Sequence, residues 1–201
     1  MRKIISAFLL LAATACASAQ FSFGPKAGLN ISKETANFAN PRSSIVSFYA
    51  GLFANYTFAR HFGLQPEMAY SSEGTKYTFG SDQTGEAKTK YLLVPLELQY
   101  ISSLGLYAET GPQLKIKLSY DNVQNGVSAN NTVVKSTLFD WTFGVGYHAN
   151  KIVKGLGINV RYDLGLSGIQ KPPVPSTGNT FQKVFQIGLF YSISSQSKKA
   201  H

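Results

Sequence analysis

Cysteine is almost missing from this sequence, because Cys16 is the only one in 201 residues. It lies in an N-terminal stretch with the pattern of an export signal: a basic start, an apolar run at 4–15 and small residues at 17–19. We expect residues 1–19 to be a signal peptide cleaved after Ala19. The mature chain then has no thiol, which excludes disulfide bonds, cysteine catalysis and thiolate metal sites.

Long apolar runs are also missing. The run at 4–15 is shorter than the roughly 20 residues that a transmembrane helix needs, and no later window approaches that length. A lipoprotein would be cut before Cys16, but Ala13 stands where such signals usually have leucine. The sequence therefore favours export with cleavage over a helical anchor or lipidation.

Acidic residues are few, with ten Asp and Glu against nineteen Lys and Arg, a net charge of +9. No stretch clusters basic residues with aromatics as a nucleic-acid surface does, so we expect no nucleic-acid partner. Contact with outer-membrane lipid or lipopolysaccharide explains the excess. Scattered, solvated lysines explain it equally well.

What the chain does have is alternation of apolar with polar residues at period two, which indicates β-strands. The clearest run is 104–120, where Leu106, Ala108 and Leu114 share one face and Tyr107, Glu109 and Lys115 share the other. The same pattern places Arg161 and Asp163 together on one polar face, where we expect opposite charges to pair.

Reading all such runs predicts eight strands, at 21–31, 47–58, 62–72, 89–101, 104–120, 133–149, 152–167 and 181–194. Long connections at 32–46, 73–88, 121–132 and 168–180 alternate with short ones at 59–61, 102–103 and 150–151. This alternation is typical of outer-membrane barrels, which have short periplasmic turns and long external loops.

The sorting of side chains separates a membrane barrel from a soluble one, which keeps apolar residues inside. Here the continuous apolar face is uncharged, and aromatics such as Phe62, Tyr100, Tyr120 and Tyr162 fall near strand ends. The mixed face suits a polar lumen, with Lys26, Gln65, Glu67, Glu97, Gln99, Glu109, Gln113, Lys115, Asp140, His148, Arg161, Asp163 and Gln186.

We therefore predict an all-β protein, an eight-stranded antiparallel up-and-down transmembrane β-barrel over 20–194, in the bacterial outer membrane. Residues 195–201 are expected to be a disordered tail. Four prolines fall inside predicted strands, where each loses a ladder hydrogen bond, so we expect bulges or strand starts there. These are Pro25, Pro66, Pro95 and Pro112.

Four motifs carry a resemblance to a known family: GPKAGLNIS at 24–32, LQPEMAYSSEG at 64–74, YLLVPLE at 91–97 and GPQ at 111–113. Through them the chain resembles the PorT-like outer membrane β-barrel family over nearly its whole mature length. The resemblance implies an eight-stranded outer-membrane barrel and accounts for the prolines as shared features. Because some members take part in type IX protein secretion, it also implies a role in such machinery.

The interior charges are the first place to look for chemistry. The predicted interior polar network consists of Lys26, Glu67, Glu97, Glu109, Lys115, Arg161 and Asp163. A small barrel is filled by its side chains, so inward charges must pair with one another, and that requirement alone accounts for these residues.

His148 is the best single candidate for acid–base chemistry, because its parity points inward and Asp140 or Asp163 could lie nearby. However, neither a Gly-x-Ser-x-Gly nor a His-Glu-x-x-His motif occurs, and His61 and His201 cannot complete a metal site. We expect no catalytic residues, no metal and no cofactor.

The function expected from the sequence is structural or interactive, with surface loops that bind ligands or partners and no open pore. Two alternatives remain: a component of envelope secretion or assembly machinery of the PorT type, with envelope protein partners, and a small lipid-modifying hydrolase that would depend on His148.

Overall fold

A computed structural model of the chain describes residues 20–35, 42–79, 83–124, 127–128, 135–169 and 180–194. The predicted signal peptide at 1–19 and the predicted tail at 195–201 lie outside the described residues. All regular elements of the described chain are β-strands. None of the described residues belongs to a helix long and apolar enough to cross a membrane.

Eight long strands and two short ones make up the fold. The long strands are β1 (Gln20–Thr35), β2 (Arg42–Ala59), β3 (Phe62–Phe79), β4 (Gln83–Ile101), β5 (Leu106–Gln124), β7 (Thr137–His148), β8 (Leu156–Gly165) and β9 (Phe181–Tyr191). The short ones have two residues each: β6 (Val127–Ser128), which pairs with β5, and β10 (Ile193–Ser194), which pairs with β1.

The long strands close into a barrel. Each pairs antiparallel with the next along the chain, and β1 returns to pair with β9 from Lys26 opposite Phe190 to Thr35 opposite Phe181. Closure leaves no long edge strand exposed. The predicted eight-stranded antiparallel barrel is confirmed.

The two ends of the barrel differ. At one end, here called the turn end, strands are joined by residues 60–61, 102–105 and 149–155. At the opposite end, here called the loop end, the chain passes from β1 to β2, from β3 to β4, from β5 to β7 and from β8 to β9. Two turns are longer than predicted, because Gly105 and Gly155 take positive φ angles of 88° and 86°. As a result, β5 begins at Leu106 and β8 at Leu156.

At the loop end the hairpin of β3 and β4 corrects another prediction. These strands stay paired to Phe79 opposite Gln83, through most of the segment predicted as a loop at 73–88. The alternation that marks a strand comes from an apolar face against lipid. Beyond the lipid the outer face no longer has to be apolar, so the pattern fades although the ladder continues.

The prolines are accommodated without bulges. The β3–β4 register is the same before Pro66 and after Pro95, with Pro66 opposite Leu96 and Ala69 opposite Leu93. Register shifts do occur, but at Ser44–Tyr49, Thr57–Ala59 and Lys90–Tyr91. The expected bulges at prolines are therefore wrong. A locally interrupted ladder is enough, since only one amide donor is lost at each proline.

The two faces of the wall sort as predicted. Leu106 and Ala108 face outward while Tyr107 and Glu109 are buried, and the same alternation runs along β8 and β9. Tyr120 is an exception, because it packs against an interior cluster of Ala69, Tyr91, Leu93, Leu138 and Ile169 rather than lying in an outer aromatic girdle. The outer wall is apolar and the inner wall is mostly polar.

Candidate functional site: the barrel interior and its two ends

Arg161 on β8 holds the centre of the interior together. Its guanidinium donates to both carboxylate oxygens of Glu67, at 3.0 and 2.9 Å, and twice to Oε1 of Glu109, at 3.0 and 2.7 Å. Nη1 lies 3.6 Å from Glu97 Oε1, and Lys26 Nζ lies 2.9 Å from Glu67. We call these five residues the arginine cluster. All are at most 5% exposed.

Neutral side chains complete this cluster. Gln65 donates to Glu67 at 2.8 Å, and Gln99 donates to Glu109 at 2.8 Å. The Asn55 amide donates to the oxygens of both glutamines, at 3.1 and 2.7 Å. Thr142 donates to Glu97 at 2.6 Å. The carboxylates thus gain hydrogen bonds in addition to their ion pairs, which buried charges require.

A second ionic group lies nearer the loop end. Lys115 Nζ contacts Glu73 at 2.8 Å and Asp140 at 2.7 Å, and all three side chains are at most 2% exposed. Asp163 is fully buried and accepts a hydrogen bond from Gln113 at 3.1 Å. We call Glu73, Lys115, Asp140 and Asp163 the lysine cluster, because Lys115 is its one cation.

The structure divides the seven residues predicted as one network. Lys26, Glu67, Glu97, Glu109 and Arg161 meet, whereas Lys115 and Asp163 belong to the other cluster. The expected pairing of Arg161 with Asp163 is wrong. Residues two apart on a strand share a face but lie at different heights, and Arg161 reaches across the lumen to Glu67 and Glu109 instead.

Sequence reasoning missed the two partners of Lys115. The alternation predicts a loop at Glu73, and it predicts an inward side chain for Asp140 but does not include it in the network. The signal for Glu73 was its parity, since it continues the inward series of Gln65, Glu67, Ala69 and Ser71 along β3. Among the described residues, six buried carboxylates face three buried cations. Arg161 and Lys115 each contact more than one carboxylate, whereas Lys26 contacts only Glu67.

Aromatic rings close the lumen toward the turn end. Phe53, Tyr107 and Phe190 are each 6% exposed and pack together, with the Phe53 and Phe190 ring centroids 5.7 Å apart. We call these three rings the aromatic plug. Glycines make room for it, because a Cβ at Gly146 would meet the Tyr107 ring and one at Gly157 would meet the Phe190 ring. The space left between the plug and Lys26 is about 10 Å³.

His148 packs against this plug. Its ring centroid lies 5.2 Å from that of Tyr107 and 5.1 Å from that of Phe190. Asp140 lies eight residues away along the same strand, and Asp163 pairs with Thr142, six residues away, so neither predicted neighbour is near His148. The described residues also contain no group of three His, Cys, Asp or Glu placed to hold a metal ion.

Below the plug, at the turn end, the lumen widens into an open cavity of about 770 Å³, here called the vestibule. Its polar lining includes Ser22, Asn55, Asn150, Lys154 and Ser194. Phe53 of the plug also lines the vestibule, and none of the charged residues of the two ionic clusters does.

At the loop end the outer wall becomes charged. Lys88 pairs with Glu86 at 2.8 Å and Lys90 with Asp121 at 3.6 Å, all on β4 and β5 and all at least one-third exposed. Exposed pairs of this kind contribute at most about 1 kcal/mol to stability. They mark the place where the apolar wall ends and water or lipid headgroups begin.

A closed eight-stranded barrel with an apolar outer wall and a filled, ionic lumen defines an outer-membrane β-barrel protein. Residues 15–171 match a known family described as outer membrane protein beta-barrel domain. The chain belongs to this family, and its place is the bacterial outer membrane. Because short turns of such barrels face the periplasm, we assign the turn end to the periplasm and the loop end to the exterior.

Solved structures share the fold at low identity. Ail, the attachment invasion locus protein of Yersinia pestis, is 13% identical with a TM-score of 0.50, over 86% of this chain and 98% of Ail. Ail in complex with the heparin analogue sucrose octasulfate is 11% identical with a TM-score of 0.51, over 87% and 99%. Neisserial surface protein A is 13% identical with a TM-score of 0.54, over 84% and 96%. No curated protein matches the chain by sequence.

Proposed function

We propose that this protein is a closed outer-membrane scaffold whose role is interaction at its external end, without an open pore and without catalysis. The observation that carries the proposal is the blocked lumen: the aromatic plug and the arginine cluster leave about 10 Å³ between them. That is room for about one water molecule and no path for a hydrated solute.

The strands support an external role. β4 has 19 residues, which at about 3.3 Å per residue and a tilt of about 40° rise roughly 48 Å along the barrel axis. The apolar band of such barrels is only about 25 Å tall. The hairpin of β3 and β4 therefore projects roughly 20 Å beyond the lipid, and its paired backbone offers a rigid surface to ligands or partners.

Anionic molecules are the ligands that the charge favours, with outer-membrane lipid and lipopolysaccharide first among them. The chain carries nineteen Lys and Arg against ten Asp and Glu. Sucrose octasulfate, found in complex with Ail, is a suitable soluble polyanion to test. A non-enzymatic role is favoured because His148 packs between rings. The hydrolase alternative requires activity on lipid A or phospholipid that His148→Ala abolishes.

Conductance tests the closed lumen. The full chain reconstituted in planar lipid bilayers is expected to give no stepwise ion current, while an open porin in the same bilayers provides the positive control. Regular single-channel steps from the purified wild-type protein would contradict the proposal.

A periplasmic role, as in secretion machinery of the PorT type, is the second candidate, and the vestibule favours it because it opens on that side. Photo-crosslinkers at Asp121 and at Lys151 separate the two, since both residues are exposed and lie at opposite ends. Crosslinks to envelope components from position 121 support the external role. Protein crosslinks from position 151 alone would favour the assembly role.

A further inference from the structure

Two lysines on the outer wall stand directly opposite each other. Lys33 on β1 is the cross-strand partner of Lys183 on β9, and both side chains are exposed. Their chain neighbours Ser32 and Val184 are fully buried, so both lysines face outward. Side chains opposite each other on one face have Cβ atoms about 4.5–5.5 Å apart. The two lysine side chains therefore extend from the outer wall side by side.

This lysine pair lies near the external end of the lipid-facing wall, two residues before the β1–β9 ladder ends at Thr35 opposite Phe181. Moving along the strands toward the membrane, the next pair that faces away from the lumen is Ile31 opposite Phe185, each about 40% exposed. Phe185 also pairs with Tyr162 on β8. Tyr rings in membrane barrels mark the headgroup level. The lysines stand one step above this row, where lipid headgroups are found.

Within the described part of the outer wall, no acidic side chain neutralises the pair. Lys88 and Lys90 have Glu86 and Asp121, but no described acidic side chain forms an ion pair with Lys33 or Lys183. The adjoining connections at 36–41 and 170–179 contain no Asp or Glu in the sequence. Like charges placed directly opposite each other are destabilising, so this site gains from a bound anion.

We propose that Lys33 and Lys183 form a phosphate-binding site for the lipid A portion of lipopolysaccharide. Phosphate supplies the missing negative charge, and the acyl chains of the same molecule lie against the apolar wall formed by Ile31 and Phe185. A soluble anion would pair with the lysines but would not contact the apolar wall. The proposal rests on the lipid contact proposed above and assigns it to one place on the barrel.

The test compares two charge-matched double variants of the full chain in detergent, by titration with lipid A and with dephosphorylated lipid A. A basic residue near an anionic lipid surface contributes about five-fold in affinity, so Lys33→Gln with Lys183→Gln is expected to weaken lipid A binding about thirty-fold. Lys88→Gln with Lys90→Gln removes lysines that are already paired, and a change below about two-fold is expected. Lys33→Arg with Lys183→Arg should retain binding.

Each outcome of this titration either supports or overturns the lipid A site. Wild-type binding that needs the phosphates and is lost only in the Lys33 and Lys183 double Gln variant supports the site. Equal loss in both Gln variants, or full binding by the Lys33 and Lys183 variant, overturns it. If the Lys33 and Lys183 double Gln variant loses sucrose octasulfate binding but keeps lipid A binding, the pair binds soluble polyanions and the proposal is overturned. The gel shift between boiled and unboiled samples checks that each variant is folded. The conductance and crosslinking experiments test the proposed function independently of lipid A binding.

Discussion

Replacing Arg161 by methionine tests the centre of the barrel most directly. The change keeps most of the side-chain length but removes the charge and four hydrogen bonds to Glu67 and Glu109. Breaking a buried ion pair by removing one partner costs about 3–5 kcal/mol. Because three carboxylates share this guanidinium and only Lys26 remains beside them, we expect Arg161→Met to lower the free energy of unfolding by about 4–5 kcal/mol.

The assay is urea unfolding of the full chain in lipid vesicles, followed by the mobility of unboiled samples on gels. Lys151→Met is the control, since this exposed turn residue should change stability by less than about 0.5 kcal/mol. Adding Glu109→Gln to Arg161→Met removes one stranded carboxylate and should recover about 1–2 kcal/mol, a coupling typical of residues in contact. Arg161→Met within about 1 kcal/mol of wild type would refute the reasoning.

Three further changes test the wall, the plug and a turn by the same assay. Val145→Arg places a charge on the lipid-facing wall and should lower the free energy of unfolding by about 2–4 kcal/mol. Leu104→Arg in a turn should lower it by less than about 1 kcal/mol, and equal losses would contradict the placement of Val145 against lipid. Gly157→Leu should cost about 1–3 kcal/mol by overpacking against the Phe190 ring, and Phe190→Ala should relieve part of that cost, so an unrelieved loss would place the strain elsewhere. Asn150→Ala removes the acceptor for the Gly155 amide and should cost about 1 kcal/mol; no change would show that water replaces this bond.

The architecture could be read from the sequence because a membrane barrel imposes a rule on every strand. Lipid on one side and a polar lumen on the other force alternation, so the parity of Leu106 and Tyr107 alone separates outside from inside. The same rule identified Lys26, Glu67, Glu97, Glu109, Lys115, Arg161 and Asp163 as inward residues.

The alternation rule applies only to the part of each strand that contacts lipid. Glu73 lies on the part of β3 where no apolar neighbour marks the outer face, so the alternation predicts a loop there although Glu73 contacts Lys115. Tyr120 was misassigned at the external end of β5, past the register shift at Lys90–Tyr91. Turn lengths were missed for a related reason, because φ angles of Gly105 and Gly155 depend on how the ends of the strands meet.

By itself, the sequence determined the strand number, the faces and the membrane address, since these follow from local alternation and the lengths of connections. Only the tertiary structure decided which charges meet. Ion pairing across a lumen depends on the stagger of the strands around the closed barrel, which no single strand encodes. That stagger carries Arg161 to Glu67 and Glu109, gives Lys115 to Glu73 and Asp140, and sets Lys33 opposite Lys183.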